Sequence, residues 1–317
     1  MSLPNKKKSN NTAPTTDELL LEIRDKVSSQ NRSRLVLDSL RVCALLLWPI
    51  GLILMTTSAG RAPWEKSPND LPHTAIVNVR GEIAAGSAAD ADRIIPAIKA
   101  AFENENSHGV ILRINSPGGS PVPAGRIHDE ILELRAQHPE KKVYAVIDDI
   151  GASGAYYIAV AANEIYANRA SMIGSIGVIS ASFDFTGLME KVGIQRRTLT
   201  AGSNKALLDP YSPMPEDQRQ FWIGQLQQTH KQFIERVKDG RGAKLSTNES
   251  IFSGLIWNGE QALELGLIDG LASHTKVASS IVGQTETVDY SPRQDIFERF
   301  MGRAKVAFQT LVSSNHP

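Results

Sequence analysis

The chain has 317 residues, with 34 Lys+Arg against 34 Asp+Glu, 41% apolar and 21% charged residues. Such ordinary globular usage excludes a wholly disordered chain, and the zero charge balance excludes a protein held on nucleic acid by bulk positive charge. One cysteine, Cys43, excludes an internal disulfide and a cysteine-cluster metal site. No His-Glu-x-x-His, Walker A or Gly-x-Gly-x-x-Gly pattern occurs, so zinc-protease, NTPase and dinucleotide readings lack a motif.

In chain order, residues 1–41 form a basic tail that is rich at its start in Lys, Asn, Ser and Thr. Within it, Asp17 to Ser28 predicts a short helix with Leu19, Leu20, Ile23 and Val27 on one face. Residues 42–60 carry no charge and are strongly apolar from Val42 to Met55, near the lower length limit for crossing a bilayer. Pro49 and Gly51 are poor in a soluble helix but tolerated in a transmembrane one. Eight Lys and Arg precede the segment, whereas Arg61 and Lys66 follow it around Glu65. The positive-inside rule therefore predicts a cytoplasmic N-terminus and a body on the other side of the membrane. Two readings compete: a buried core helix, for which the basic, Ser/Asn-rich stretch ahead offers no partner, and a cleaved signal peptide, because Thr57-Ser58-Ala59 has cleavage-site spacing. The long polar region ahead favours an uncleaved anchor. Residues 61–72, with Pro63, Pro68 and Pro72, read as a stiff linker.

From residue 73 to about 284 the pattern alternates strands and helices. Strands are expected at His73–Arg80, Gly109–Asn115, Lys142–Asp148, Glu164–Ala167 and Ile173–Ile179. Helices are expected over about 88–102, 124–136 and 155–162, and over the long stretch Pro215 to Asp239, closed by Gly240. This alternation predicts an α/β domain with right-handed crossovers and a mostly parallel sheet. A final segment, 285–317, contains an amphipathic helix pattern from Arg293 to Val312, suited to packing on the body or a neighbouring subunit, or to lying on a membrane.

Two strand-to-helix turns have a composition suited to chemistry. Ser153 lies in Gly-Ala-Ser-Gly-Ala, whose small neighbours allow a tight turn and a close substrate, much as in a nucleophile elbow. Gly118 and Gly119 close the neighbouring strand and can supply N–H donors to an oxyanion. By local pattern alone, Ser153 is equally an ordinary N-cap and the glycine pair an ordinary turn. A serine nucleophile needs a base. His108, His128, His138 and His230 all read as solvated surface. Lys205, in Ala-Gly-Ser-Asn-Lys-Ala, is the other candidate, although a loop lysine is ordinarily solvated and a base must be neutral. Asp209, four residues on, would favour the charged form if it were near.

Five blocks in order resemble the signal peptide peptidase A family: GVILRINSPGGS (109–120), IDDIGASGAYYIA (147–159), SMIGSIGVI (171–179), AGSNKALLDPYSPM (201–214) and IWNGEQALELGLIDGL (256–271). The resemblance implies a crotonase/Clp-protease-like α/β fold of ββα repeats with a mostly parallel sheet, preceded by one transmembrane helix. It implies a membrane-anchored serine peptidase that degrades leftover signal peptides and other apolar peptides, with no metal or other cofactor. Position by position, Ser153 falls on the nucleophile and Lys205 on the general base. Gly118 and Gly119 fall on the oxyanion turn, with the Gly154 N–H as a second donor. The Gly174–Val178 segment, including Ser175 and Ile176, falls on the wall of the apolar pocket, and Ser203 is placed to orient Lys205. Ala155 stands where many relatives have Gly. With no internal repeat, the chain is similar to short members that form ring- or dome-shaped homo-oligomers, in which one site draws Ser153 and Lys205 from neighbouring subunits. The implied location is the bacterial inner membrane, with the peptidase domain outside the cytoplasm and no nucleic acid as partner. An acyl-CoA enzyme of the same fold and an inactive membrane scaffold are the rival readings.

Overall fold

The computed structural model describes Arg24 and residues 67–292. The expected anchor at 42–60, the C-terminal helix at 293–312, and all of the 17–28 helix except Arg24, which is helical, lie outside the described residues. Among the described residues, no helix is long and apolar enough to cross a membrane.

The body follows the predicted alternation. β1 (His73–Arg80) leads through α1 (Ala91–Glu103) to β2 (Ser107–Ser116), and α2 (Pro121–Gln137) leads on to β3 (Val143–Ala152). A six-residue helix, α3 (Gly154–Ala159), then precedes β4 (Glu164–Ala167) and β5 (Met172–Gly174). After α4 (Thr186–Lys191) and the long α5 (Glu216–Arg241) come β6 (Ile256–Trp257), α6 (Gly259–Glu264), β7 (Gly270–Leu271), α7 (His274–Val277) and β8 (Thr287–Asp289). The main sheet path runs β6-β5-β3-β2-β1-β8, with β4 beside β3 and β7 beside β4. Every pairing is parallel except β5 with β6.

Period-two alternation explains the layers. Ala75, Val77 and Val79, with Val110, Leu112, Ile114, Val143, Ala145 and Ile147, face the main core, which α1, α2, α3 and the end of α5 cover. The alternate residues Ile76, Ile111, Tyr144 and Val146 face a smaller cluster closed by Val277 and Ala278. The central strands are thus apolar on both faces, as parallel strands usually are.

Three differences from the sequence reading have physical causes. The strand expected over Ile173–Ile179 stops at Gly174, because Gly174 (φ 103°) and Ser175 (φ 49°) turn the chain away from the ladder. The long helix does not end at Gly240. It runs on to Arg241, and Gly240 serves close approach instead, since a Cβ there would lie 2.3 Å from the Val160 carbonyl oxygen. Of the apolar residues Phe221, Leu226, Phe233, Ile234 and Val237, which a core-packed helix over this stretch would bury, only Phe233 and Val237 are buried, while Phe221 is 59% exposed. From residue 177 to 232 no residue is buried.

Candidate active site

β3 and β2 end side by side, Ser116 opposite Gly151, so the turns that follow them meet. Ser153 follows β3 with φ 53° and ψ −125°, a conformation sparsely populated by residues other than glycine and costing on the order of 1–3 kcal/mol. Its backbone is fixed from both sides: the N–H donates to the Gly174 carbonyl at 2.8 Å, and its carbonyl accepts from the Tyr157 N–H at 3.0 Å. Although Ser153 precedes α3, its side chain makes no capping hydrogen bond. The ordinary N-cap reading therefore fails, and the hydroxyl stays available on a half-buried residue.

The Ser-Pro-Gly-Gly turn packs directly against Ser153. A Cβ at Gly118 would lie 2.7 Å from the Ala152 carbonyl oxygen and the Gly154 nitrogen, and 2.8 Å from Ser153 Cβ. With φ 97° as well, only glycine fits there. Gly119 bridges Ile83, with the Ile83 N–H donating to the Gly118 carbonyl at 2.9 Å and the Ser120 N–H to the Ile83 carbonyl at 2.8 Å. In a parallel bridge of this kind the Gly119 N–H points away from Ile83. It lies on the side of Gly154, where a Cβ at Gly154 would come within 3.4 Å of the Gly119 nitrogen. Gly118 itself donates to Ser116 Oγ at 3.1 Å. Of the two glycines that follow the turn centres, Gly119 and Gly154, neither N–H donates to a partner among the described residues, and Gly154 is the first residue of α3.

Gly174, Ser175 and Ile176 form the next wall. Gly174 accepts from Ser153, Ser175 donates to the Leu255 carbonyl at 2.8 Å, and Ile176 is fully buried. Two further residues brace this wall. A Cβ at Gly174 would touch the Trp257 ring at 3.1 Å, and His230 Nε2 donates to the Ile176 carbonyl at 3.1 Å. His230 thus faces inward rather than to solvent. Its spacing from the buried Phe233 and Val237, three and seven residues along α5, was the signal available in the sequence. His128 is likewise not on the surface: it is buried, edge-on to Tyr157 at 5.1 Å between ring centres, and burial pushes its pKa down despite the neighbouring Asp129.

Behind Ser153, α3 is held at two points. The Tyr156 hydroxyl donates to the Leu267 carbonyl at 2.6 Å, and its burial raises its pKa. Arg135 Nη1 donates to the Ala161 carbonyl at 2.6 Å, just beyond the end of α3. Deeper still, Arg241 pairs with Asp269 at 2.7 Å, with Lys244 on the other carboxylate oxygen at 2.6 Å. Burial alone would raise the Asp269 pKa. Hydrogen bonds from Arg241, Lys244 and the Ile165 N–H outweigh it and leave the carboxyl below its ordinary value.

Lys205 makes none of these contacts. It lies exposed in the segment between β5 and α5, its N–H donating to the Gly202 carbonyl at 3.2 Å. Among the described residues no hydrogen bond or ion pair joins it to Ser153, Ser203 or Asp209. Asp209 is engaged by Arg196 instead, at 3.4 Å. A single copy of the chain therefore brings together Ser153, Gly118, Gly119, Gly154, Gly174, Ser175 and Ile176, but not Lys205. Also among the described residues, no cluster of metal-ligating side chains occurs.

The family model "Peptidase family S49" matches residues 135–287, a span that contains both Ser153 and Lys205. A protein of Brucella melitensis named Na(+)/H(+) antiporter NhaA is 47% identical over 175 residues, which is 55% of this chain and 24% of that protein. A putative protease of Synechocystis is 30% identical over 210 residues, or 66% of this chain and 73% of that protein. A putative signal peptide peptidase SppA of Enterococcus faecium is 27% identical over 192 residues, covering 61% and 55% of the two chains. The chain spans 24% to 40% of the length of the first three curated relatives it matches. With a nucleophile-elbow-like serine and a glycine turn packed against it inside a mostly parallel α/β sheet, and with these likenesses, the chain belongs to peptidase family S49, the family of signal peptide peptidase A.

Proposed function

We propose that the chain is a membrane-anchored serine endopeptidase that uses Ser153 and Lys205 to degrade residual signal peptides and other apolar peptides. One observation carries the reading. Ser153 holds a strained backbone conformation, its hydroxyl is not used as a cap, and two unpartnered N–H groups lie beside it. Strain of this kind is found where surrounding structure enforces it for function.

In the proposed reaction, a neutral Lys205 amine takes the Ser153 Oγ proton as Oγ bonds to the scissile carbonyl carbon. The carbonyl π pair moves to oxygen, where the Gly119 and Gly154 N–H groups receive it. Collapse of this intermediate breaks the C–N bond, and the Lys205 ammonium returns its proton to the leaving amine. Water then gives a proton to Lys205 and attacks the acyl ester, which restores the Ser153 hydroxyl. Gly174, Ser175 and Ile176 bound the apolar substrate pocket. No metal or cofactor enters the scheme. Because Lys205 is exposed and makes no hydrogen bond to Ser153 within one copy, the amine in this scheme comes from a neighbouring copy in a homo-oligomer. The anchor at 42–60 places the body on the extracytoplasmic side of the inner membrane.

The test is hydrolysis of apolar fluorogenic peptides by the full chain in detergent, beside Ser153→Ala and Lys205→Ala, with circular dichroism and sizing to establish equal folding and assembly. The reading expects an active parent, a Ser153→Ala variant without activity and a Lys205→Ala variant with only a small residual rate. Full activity in Lys205→Ala would remove the dyad, and an assembled but inactive parent would remove the peptidase.

A further inference from the structure

The segment that carries Lys205 has almost nothing apolar to hold it. No residue from 200 to 214 is buried, so the hydrophobic effect contributes little to its order. Fixing each residue's backbone still costs on the order of 1–2 kcal/mol. The chain from Gly202 to Ser212 coils through successive turns: Lys205 N–H to Gly202, Leu207 to Asn204, Asp209 to Ala206 and Ser212 to Asp209. Within them Leu208 takes φ 68°, a left-handed conformation that a leucine does not adopt without constraint.

One side chain in this stretch is withdrawn from water. The Asp209 carboxylate is only 9% exposed and accepts from the Ser212 hydroxyl at 3.0 Å and the Tyr211 N–H at 3.3 Å, with Arg196 Nε at 3.4 Å. The Arg196 guanidinium also covers the Tyr211 ring at 5.3 Å, and that ring stacks on Phe185 at 5.6 Å. The Phe185 N–H in turn donates to the Pro210 carbonyl at 2.8 Å. Asp209 therefore ties the turns around Lys205 to Arg196, and Tyr211 and Pro210 tie them to Phe185.

We propose that Asp209, through Arg196, Ser212 and Tyr211, is a positioning residue that presents the Lys205 amine in one place. The proposal rests on Lys205 being the base of the reading above, and the experiment separates the two. In the full chain, Asp209→Ala lowers kcat by about 10- to 100-fold with KM within about threefold, as a misplaced catalytic group does. Asp209→Glu recovers part of that loss. In a Lys205→Ala background the residual rate is unchanged by Asp209→Ala, because the residue acts only through the lysine. A second readout needs no activity. With Cys43→Ser removing the other thiol, a nitroxide on Lys205→Cys gives an immobilised spectrum that sharpens when Asp209→Ala is added. Unchanged kcat in Asp209→Ala, an equal loss in the Lys205→Ala background, or an unchanged nitroxide spectrum would each overturn the positioning role. Full activity of Lys205→Ala alone overturns the base reading, and the positioning role falls with it.

Discussion

The two halves of the candidate site are built by different physics. Ser153 stands on a sheet whose central strands are apolar on both faces, and each neighbour that fixes it is itself anchored in the core. Lys205 stands on a segment in which nothing from 177 to 214 is buried and large side chains face outward, Leu199 at 99% and Phe183 at 78% exposure. Burial makes the first half rigid within one copy. The second half keeps its shape through turns, one carboxylate and an aromatic stack, and its outward apolar side chains form a surface that a monomer leaves uncovered. In the proposed scheme, the turn that carries Ser153 is thus complete in one chain, while the place of Lys205 depends on what covers that surface.

This contrast can be broken or sharpened by substitution. The largest effect is expected from Gly118→Ala, where the new Cβ meets backbone atoms of the Ser153 turn at 2.7 Å. Displacing that turn should lower kcat/KM by about 100-fold or more, with the far-ultraviolet circular dichroism largely retained. Next is Arg241→Ala, which leaves the Asp269 carboxylate short of its main partner in a mostly buried place. A loss of about 3 kcal/mol is expected in urea unfolding, at the lower end of the range for broken buried pairs because Lys244 remains. The same carboxyl sets a pH signature. Its folded pKa lies below the unfolded value of about 3.9, so its contribution is present at neutral pH and fades as pH falls below about 4. Arg241→Ala should flatten that acid decline in unfolding midpoints measured between pH 7 and pH 3. Tyr156→Phe, which leaves the buried Leu267 carbonyl without its donor, is expected to cost about 1–3 kcal/mol by the same assay. Leu199→Ser should be the smallest, within about 0.5 kcal/mol in the dissociated chain. A cost there as large as that of Tyr156→Phe would mean that the outer segment has a core of its own, and the contrast would fail.

How legible each half is from sequence follows from the same contrast. His73–Arg80 and Glu164–Ala167 are strands at the expected residues, the first because its Thr, Ile and Val residues favour a strand, the second as a short Ile-Tyr pair of strand-favouring residues. The meeting of the Ser153 and Gly118 turns is legible too, since both close neighbouring strands of a parallel sheet. The two-residue strands β6 and β7 are not, because pairing rather than local preference defines them. Nor is Arg241, a charged helix end only 3% exposed, whose burial depends on a carboxylate 28 positions away. The place of Lys205 was legible least, because a loop without apolar anchors carries no periodicity to read.

The position of β8 has a consequence for how the molecule comes to exist. The last strand lies in parallel beside the first, pairing Thr74 with Thr287 and Ile76 with Asp289. Until residue 289 has emerged during synthesis, the edge of β1 stays open and this pairing cannot form. A sheet joined almost wholly by crossovers, with the first and last strands of the described residues as neighbours, has high contact order and should be a slow folder. During that wait the unfilled edge is where a nascent chain is most exposed to wrong partners, and a truncation before Thr287 would make that exposure permanent.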